Sequence, residues 1–235
     1  MKKYYKFDFD MTFLNVLSVV LFVIVITPTM FYFKYIDINF VVLVYAFLWL
    51  VFHELIHGVG FLINKGVYFK NITFGALLEK GILYCMCKQR INKKAILVSL
   101  LSPLVLIGVV TLILSFIINN GTLAFLSCMN IAGSIGDIVM FIMISRMPKD
   151  TEYTDLDDPA SFILISNEDL SKYLVPGVNV SETGTYDEVN MIPTDFRKVV
   201  ISKLSMVVFI VLFVFIIYKV IGALIWKVSL EWYWL

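Results

Sequence analysis

The chain has 235 residues, of which 60% are apolar and only 16% charged, with a mean hydropathy of +0.89. A soluble domain carries about 45–50% apolar and about 25% charged residues, so this balance argues against a soluble globular fold and excludes disorder. With 19 basic against 18 acidic residues, there is no basic field of the kind that nucleic-acid binding requires. What remains is an integral membrane protein, long enough for about five spans.

Five apolar runs of spanning length lie at 13–33, 38–64, 95–118, 121–145 and 199–226. The first exceeds the usual apolar core of a signal peptide and no A-x-A site follows it, so it reads as a retained span, with Pro28 kinking or tilting the helix rather than ending it. After the second run, Val67-Tyr68-Phe69, Ile72-Thr73-Phe74 and Ile82-Leu83-Tyr84-Cys85 flank Glu79-Lys80-Gly81. That pattern of β-branched and aromatic residues around a turn predicts a β-hairpin at the membrane surface. Asn119-Asn120-Gly121 predicts a tight turn between antiparallel third and fourth spans. Residues 147–195 are rich in Asp and Glu, with one strand-like run at 162–165, and read as a solvated loop or small subdomain.

The expected fold is therefore an all-α membrane protein of about five transmembrane helices, with a small cytoplasmic β-hairpin and a cytoplasmic acidic loop. Residues 1–145 would form a four-span core, 146–198 the acidic loop, and 199–235 a last transmembrane helix with an outer tail. A cytoplasmic N-terminus puts every basic residue except Lys34, Lys219 and Lys227 on the cytoplasmic side. By the positive-inside rule, the expected topology is a multi-pass cell-membrane protein with its N-terminus in and its C-terminus out.

Chemistry is concentrated in the second span. The chain's two histidines stand in the string His53-Glu54-Leu55-Ile56-His57. On an α-helix, positions i and i+4 share a face, so both imidazoles can meet one Zn²⁺ while Glu54 addresses the water beside it. A Zn²⁺ ion and a neighbouring carboxylate together make a nucleophile for a peptide carbonyl. Ionisable residues within a span are costly, and this favours a functional pairing over chance.

A catalytic zinc site needs a third protein ligand and an open position. Asp137 is the other acid well inside a span, eight residues before the cytoplasmic end of its run, as His57 is seven before the end of its own. At 1.5 Å per residue, both side chains lie roughly 10–12 Å below the same surface. Ala132, Gly133, Ser134 and Gly136 form a stretch of small residues that lets another helix approach. Glu79, in the hairpin turn, is the rival third ligand. Asn130 shares nearly the same face as Asp137 but lies about 10.5 Å away along the axis, too far to be assigned to an oxyanion.

An H-E-x-x-H helix in the membrane with an aspartate from a later span resembles the intramembrane zinc metalloproteases of the site-two protease type. It is also similar to bacterial multi-pass proteins described as zincin peptidases. The resemblance runs from the second span to the start of the acidic loop through His53-Glu54-Leu55-Ile56-His57-Gly58, Phe74-Gly75, Ser102-Pro103 and Gly136-Asp137. In site-two proteases the aspartate is followed by Gly in a Pro-containing stretch; here Ile138 follows, and no Pro stands between Asn130 and Asp137. The resemblance implies a zinc endopeptidase with Glu54 as its catalytic base and His53, His57 and Asp137 as metal ligands.

The expected partners are a peptide or membrane-protein substrate, the lipid bilayer and a protein bound at the acidic loop, with no nucleic acid. A substrate strand could add to the hairpin edge. Two other classes compete: a non-catalytic zinc scaffold or pseudoprotease, which would have no need of Glu54, and an ion transporter, which would be expected to show broken-helix repeats. Cys85, Cys87 and Cys128 are expected as free thiols in a reducing compartment.

Overall fold

The computed structural model describes residues 2–33, 40–77, 82–156, 158 and 160–185. The expected fifth span at 199–226 and the rival ligand Glu79 lie outside the described residues.

In chain order the elements are β1 (Lys3–Phe9), α1 (Met11–Phe33), α2 (Phe40–Phe61), β2 (Ile72–Leu77), β3 (Ile82–Cys87), β4 (Ile91–Asn92) and α3 (Lys93–Pro103). α3 continues through a π-helical segment, Leu104–Val109, into α4 (Val110–Ile117). α5 (Gly121–Gly133), α6 (Ile135–Arg146), β5 (Glu152–Asp155), β6 (Ser161–Ser166) and β7 (Val178–Thr185) follow.

Among the described residues, three helical stretches are each long and apolar enough to cross a membrane: Met11–Phe33, Val41–Phe61 and Lys93–Ile117. They fit a membrane protein. In α1 only 11% of the apolar window is buried, and Val16, Val19, Val23 and Ile24 stand exposed. Such a surface is stable against lipid rather than water. Asp10 starts α1, its carboxylate accepting from the Phe13 N–H at 3.0 Å. Pro28 lies within the helix without ending it. The Thr27 and Thr29 hydroxyls on either side of it bond back to the carbonyls of Val23 and Val25, which favours a slight bend there rather than a stop.

The stretch expected as the fourth span is built of two helices, α5 and α6, apolar enough together to cross a membrane and bent by 47° at the break between them. The break falls at Ser134, whose hydroxyl donates to Asn130 O at 2.8 Å, competing with its own N–H for that carbonyl. Side-chain back-bonding of this kind ends or bends helices. The Ala132 carbonyl next to the break accepts from Ser18 Oγ of α1 at 2.8 Å, so α1 braces the bend.

The all-α expectation is overturned. The protein is mixed α/β, with a five-stranded antiparallel sheet in the order β4-β5-β6-β1-β7 and the separate hairpin β2-β3. The acidic stretch, expected as a solvated loop or small subdomain with one strand-like run at 162–165, supplies β5, β6 and β7, and the basic N-terminal flank supplies β1, an interior strand between β6 and β7. β1 pairs from Lys3↔Ser166 to Asp8↔Ser161 with β6, and from Lys3↔Thr185 to Phe9↔Val178 with β7. The physical reason is burial on both faces. Every residue of β6 is buried, Phe7 stacks on Phe162 with ring centroids 5.5 Å apart, and Tyr4 packs with Ile163 and Ile165 on the other face. The expected hairpin is present, running from Ile72↔Cys87 to Leu77↔Ile82.

Candidate metal centre

α2 carries His53 and His57 one turn apart on a buried face, each 7% exposed. A neighbouring helix and the hairpin both come close to α2 because two glycines let them. A Cβ on Gly60 would lie 2.5 Å from Ser99 Cα, so only glycine admits α3 at this distance; a Cβ on Gly58 would strike the Phe74 ring of the hairpin at 2.6 Å.

Close approach of α3 orients His57. Its Nδ1 lies 2.9 Å from the Ser99 carbonyl, an acceptor that can only receive a proton, and the Ser99 hydroxyl donates back to the His57 carbonyl at 2.8 Å. His53 is held in the same way from α5, with its Nδ1 3.0 Å from Asn130 Oδ1. The Asn130 amide in turn donates to the Pro103 carbonyl at 3.2 Å. With both Nδ1 atoms engaged as donors, both Nε2 atoms carry lone pairs.

Those lone pairs converge. The two Nε2 atoms are 3.0 Å apart; His53 Nε2 is 2.9 Å from Asp137 Oδ2 and His57 Nε2 is 3.3 Å from Asp137 Oδ1. Asp137 stands in the first turn of α6, where the bend at Ser134 has opened a new helix N-terminus that favours an acid. Three acceptor atoms facing one another in a buried site repel unless a cation lies among them. A tetrahedral zinc shell of about 2.0–2.1 Å radius spaces its ligands by about 3.3 Å, close to the separations seen, so the donor set fits zinc. Thus the structure brings together the three residues expected from sequence as one group able to hold a metal.

Glu54 lines the same cavity, of about 190 Å³, together with Cys85 of β3. The far wall comes from the sheet through Phe9, Tyr153, Asp155 and Phe162. Asp155 accepts from the Cys87 N–H at 2.7 Å and from the Tyr153 hydroxyl. Burial pushes its carboxyl up to about 7, against the pull of those two hydrogen bonds. Burial also pushes the Cys87 thiol up to about 12 and the Cys85 thiol well above its ordinary value.

Sequence reasoning missed Ser99, Asn130 in its orienting role, and the pair Tyr153 and Asp155. Asn130 was in view but measured along the helix towards Asp137, whereas its partner lies across the helix interface. Ser99 acts through a backbone carbonyl, for which no residue type is a signal. Tyr153 and Asp155 alternate with Thr154 in a period of two, a weak strand signal in an acidic stretch.

Residues 46–151 match the family model described as "Putative zincin peptidase". The match supports a zinc metallopeptidase of the zincin kind. It contains His53, Glu54, His57, Ser99, Asn130 and Asp137, and leaves β1, β5, β6 and β7 outside. No curated protein and no solved structure matches the chain.

Proposed function

We propose that this chain is a membrane-embedded zinc metalloprotease that hydrolyses peptide bonds near the cytoplasmic membrane face. The observation that carries the reading is the convergence of His53 Nε2, His57 Nε2 and the Asp137 carboxylate within 4.8 Å of one another, in a cavity that Glu54 also lines. A purely structural metal site has no use for that fourth group.

His53, His57 and Asp137 would hold the ion. Zinc, when bound, supplies a Lewis acid that polarises a peptide carbonyl and acidifies water to a pKa of about 7. Glu54 takes the proton from the attacking water and returns it to the leaving amine. Asn130 and Ser99 fix the imidazole tautomers and so keep the Nε2 lone pairs inward. Phe61, Ile96, Leu100 and Met140 line the same cavity and limit the water in it, which strengthens the electrostatic interactions there.

Of the hairpin, β3 borders the cavity through Leu83, Tyr84, Cys85 and Met86. A substrate strand added along it would run past Glu54, with backbone hydrogen bonds giving affinity and side-chain pockets giving specificity. The charge distribution described above puts the N-terminus in the cytoplasm, with the substrate a peptide or a membrane protein.

The test is metal stoichiometry on detergent-purified full-length protein, read beside cleavage of an unstructured reporter such as casein. Wild type and Glu54→Gln should hold near-equimolar zinc and Asp137→Ala should be depleted, while Glu54→Gln loses cleavage by about 10²-fold or more. Absence of metal from wild type after zinc is resupplied, or undiminished cleavage by Glu54→Gln, would overturn the reading.

A further inference from the structure

Away from the metal centre, α3 and α6 flank an open groove of about 480 Å³. Its composition is graded along α3. Lys93 and Lys94 open the helix, Leu97 and Val98 follow one turn deeper, and Leu101 a turn deeper again, a span of about 10–12 Å. Phe141 of α6 forms the facing wall and Lys149, three residues beyond that helix, returns to the charged end.

The lysines differ in their engagement. Lys93 donates to the carbonyls of Ser145 and Met147 and so closes the end of α6. Lys94 and Lys149 are exposed, and neither makes an ion pair among the described residues. The acids close in sequence are already engaged: Asp150 accepts from Ser166 and Asn167, and Glu152 pairs with Lys2 at 2.8 Å.

We propose that this groove binds one anionic glycerophospholipid, with its headgroup phosphate on Lys94 and Lys149 and an acyl chain against Leu97, Leu101 and Phe141. Two exposed cations with no ion pair among the described residues, at the end of an apolar trough where a spanning helix begins, complement a molecule with an anion at one end and hydrocarbon at the other. A free phosphate would leave the apolar wall unused. A zwitterionic lipid neutralises its own phosphate and gains less from the lysines. The proposal needs nothing from the catalytic reading.

Native mass spectrometry of the full-length protein in detergent, with dioleoyl phosphatidylglycerol and dioleoyl phosphatidylcholine at equal concentration, tests it. A lysine near an anionic surface strengthens attraction about fivefold, so wild type should favour phosphatidylglycerol by about tenfold or more. Lys94→Gln with Lys149→Gln should bring that preference within about twofold, while Lys94→Arg with Lys149→Arg retains it. Lys65→Gln with Lys70→Gln, at exposed lysines outside the groove, should also retain it. Equal binding of both lipids by wild type, an undiminished preference in the glutamine pair, or an equal loss in the Lys65 and Lys70 control would each overturn the assignment. Displacement of the bound lipid by millimolar glycerol phosphate would do the same, by showing a plain phosphate site.

Discussion

Asn130 Oδ1 stands 3.0 Å from His53 Nδ1 while its amide holds the Pro103 carbonyl at 3.2 Å, so one side chain ties a metal-facing histidine to the π-helical segment that begins after Pro103. Gly108 within that segment makes room for it, since a Cβ there would lie 3.2 Å from Asn130 Nδ2 and 2.9 Å from Ile131. Partners that fix the far nitrogen of a ligating histidine set its tautomer and its basicity. Asn130→Ala should therefore weaken zinc binding by about 10–100-fold while leaving all three ligands in place. Competition against a chelator of known affinity measures this; unchanged affinity would remove Asn130 from the centre.

Gly60 and Gly133 lie on helices that build the same site but should respond in opposite ways. Alanine at 60 would press a methyl group into Ser99, 2.5 Å from its Cα, and push α3 away from His57. A destabilisation of about 1–3 kcal/mol is expected, with loss of zinc. At Gly133 nothing lies within 4 Å of an added Cβ and the residue ends a helix, so alanine should be neutral or stabilising by up to about 1 kcal/mol. Thermal melting in detergent, with metal content measured beside it, separates the two; equal behaviour would contradict the close-packing account.

Asp155 gives a pH dependence whose sign is fixed. Burial pushes its carboxyl from the ordinary 3.8 up to about 7, so between those values the folded chain keeps a proton that the unfolded chain has lost. Its contribution to stability is therefore greatest below about pH 4, falls as pH rises towards 7, and levels off above. Asp155→Asn, which does not titrate, should flatten the melting temperature between pH 5 and 8 relative to wild type, whatever its absolute stability. A slope equal to that of wild type would show that another group is responsible.

The metal-facing residues were legible because each left a local mark. His53, Glu54 and His57 follow helical spacing, and Asp137 is a rare acid in an apolar run at a matching depth. The hairpin was legible from its β-branched and aromatic pairs. The sheet was not, since its strands carry conflicting signals. β1 mixes Tyr5, Phe7 and Phe9 at alternate positions with Lys6 and Asp8, yet it sits directly before a long apolar helix, where basic residues read as a membrane flank. β6 is a four-residue apolar run between two serines, strand-like by itself but with nothing in the sequence to name its partners, and β7 is a polar segment that pairs with β1. The bend at Ser134 was hidden because small residues in a span also signal close helix packing, and a hydroxyl that bends its own helix leaves the same composition.

The position of β1 also sets an order of events during synthesis. This strand precedes the helices in the chain and lies between β6 and β7, whose residues emerge only after α1 to α6 have been made. Until then its two edges have no partner, and the wall that Phe9, Tyr153, Asp155 and Phe162 give the cavity is incomplete. Contacts separated by some 150 residues or more are slow to form. The nascent chain therefore passes through a stage in which the helical core is in place while the cavity beside it stands unroofed, and the wall is completed only once β6, which carries Phe162, has left the ribosome.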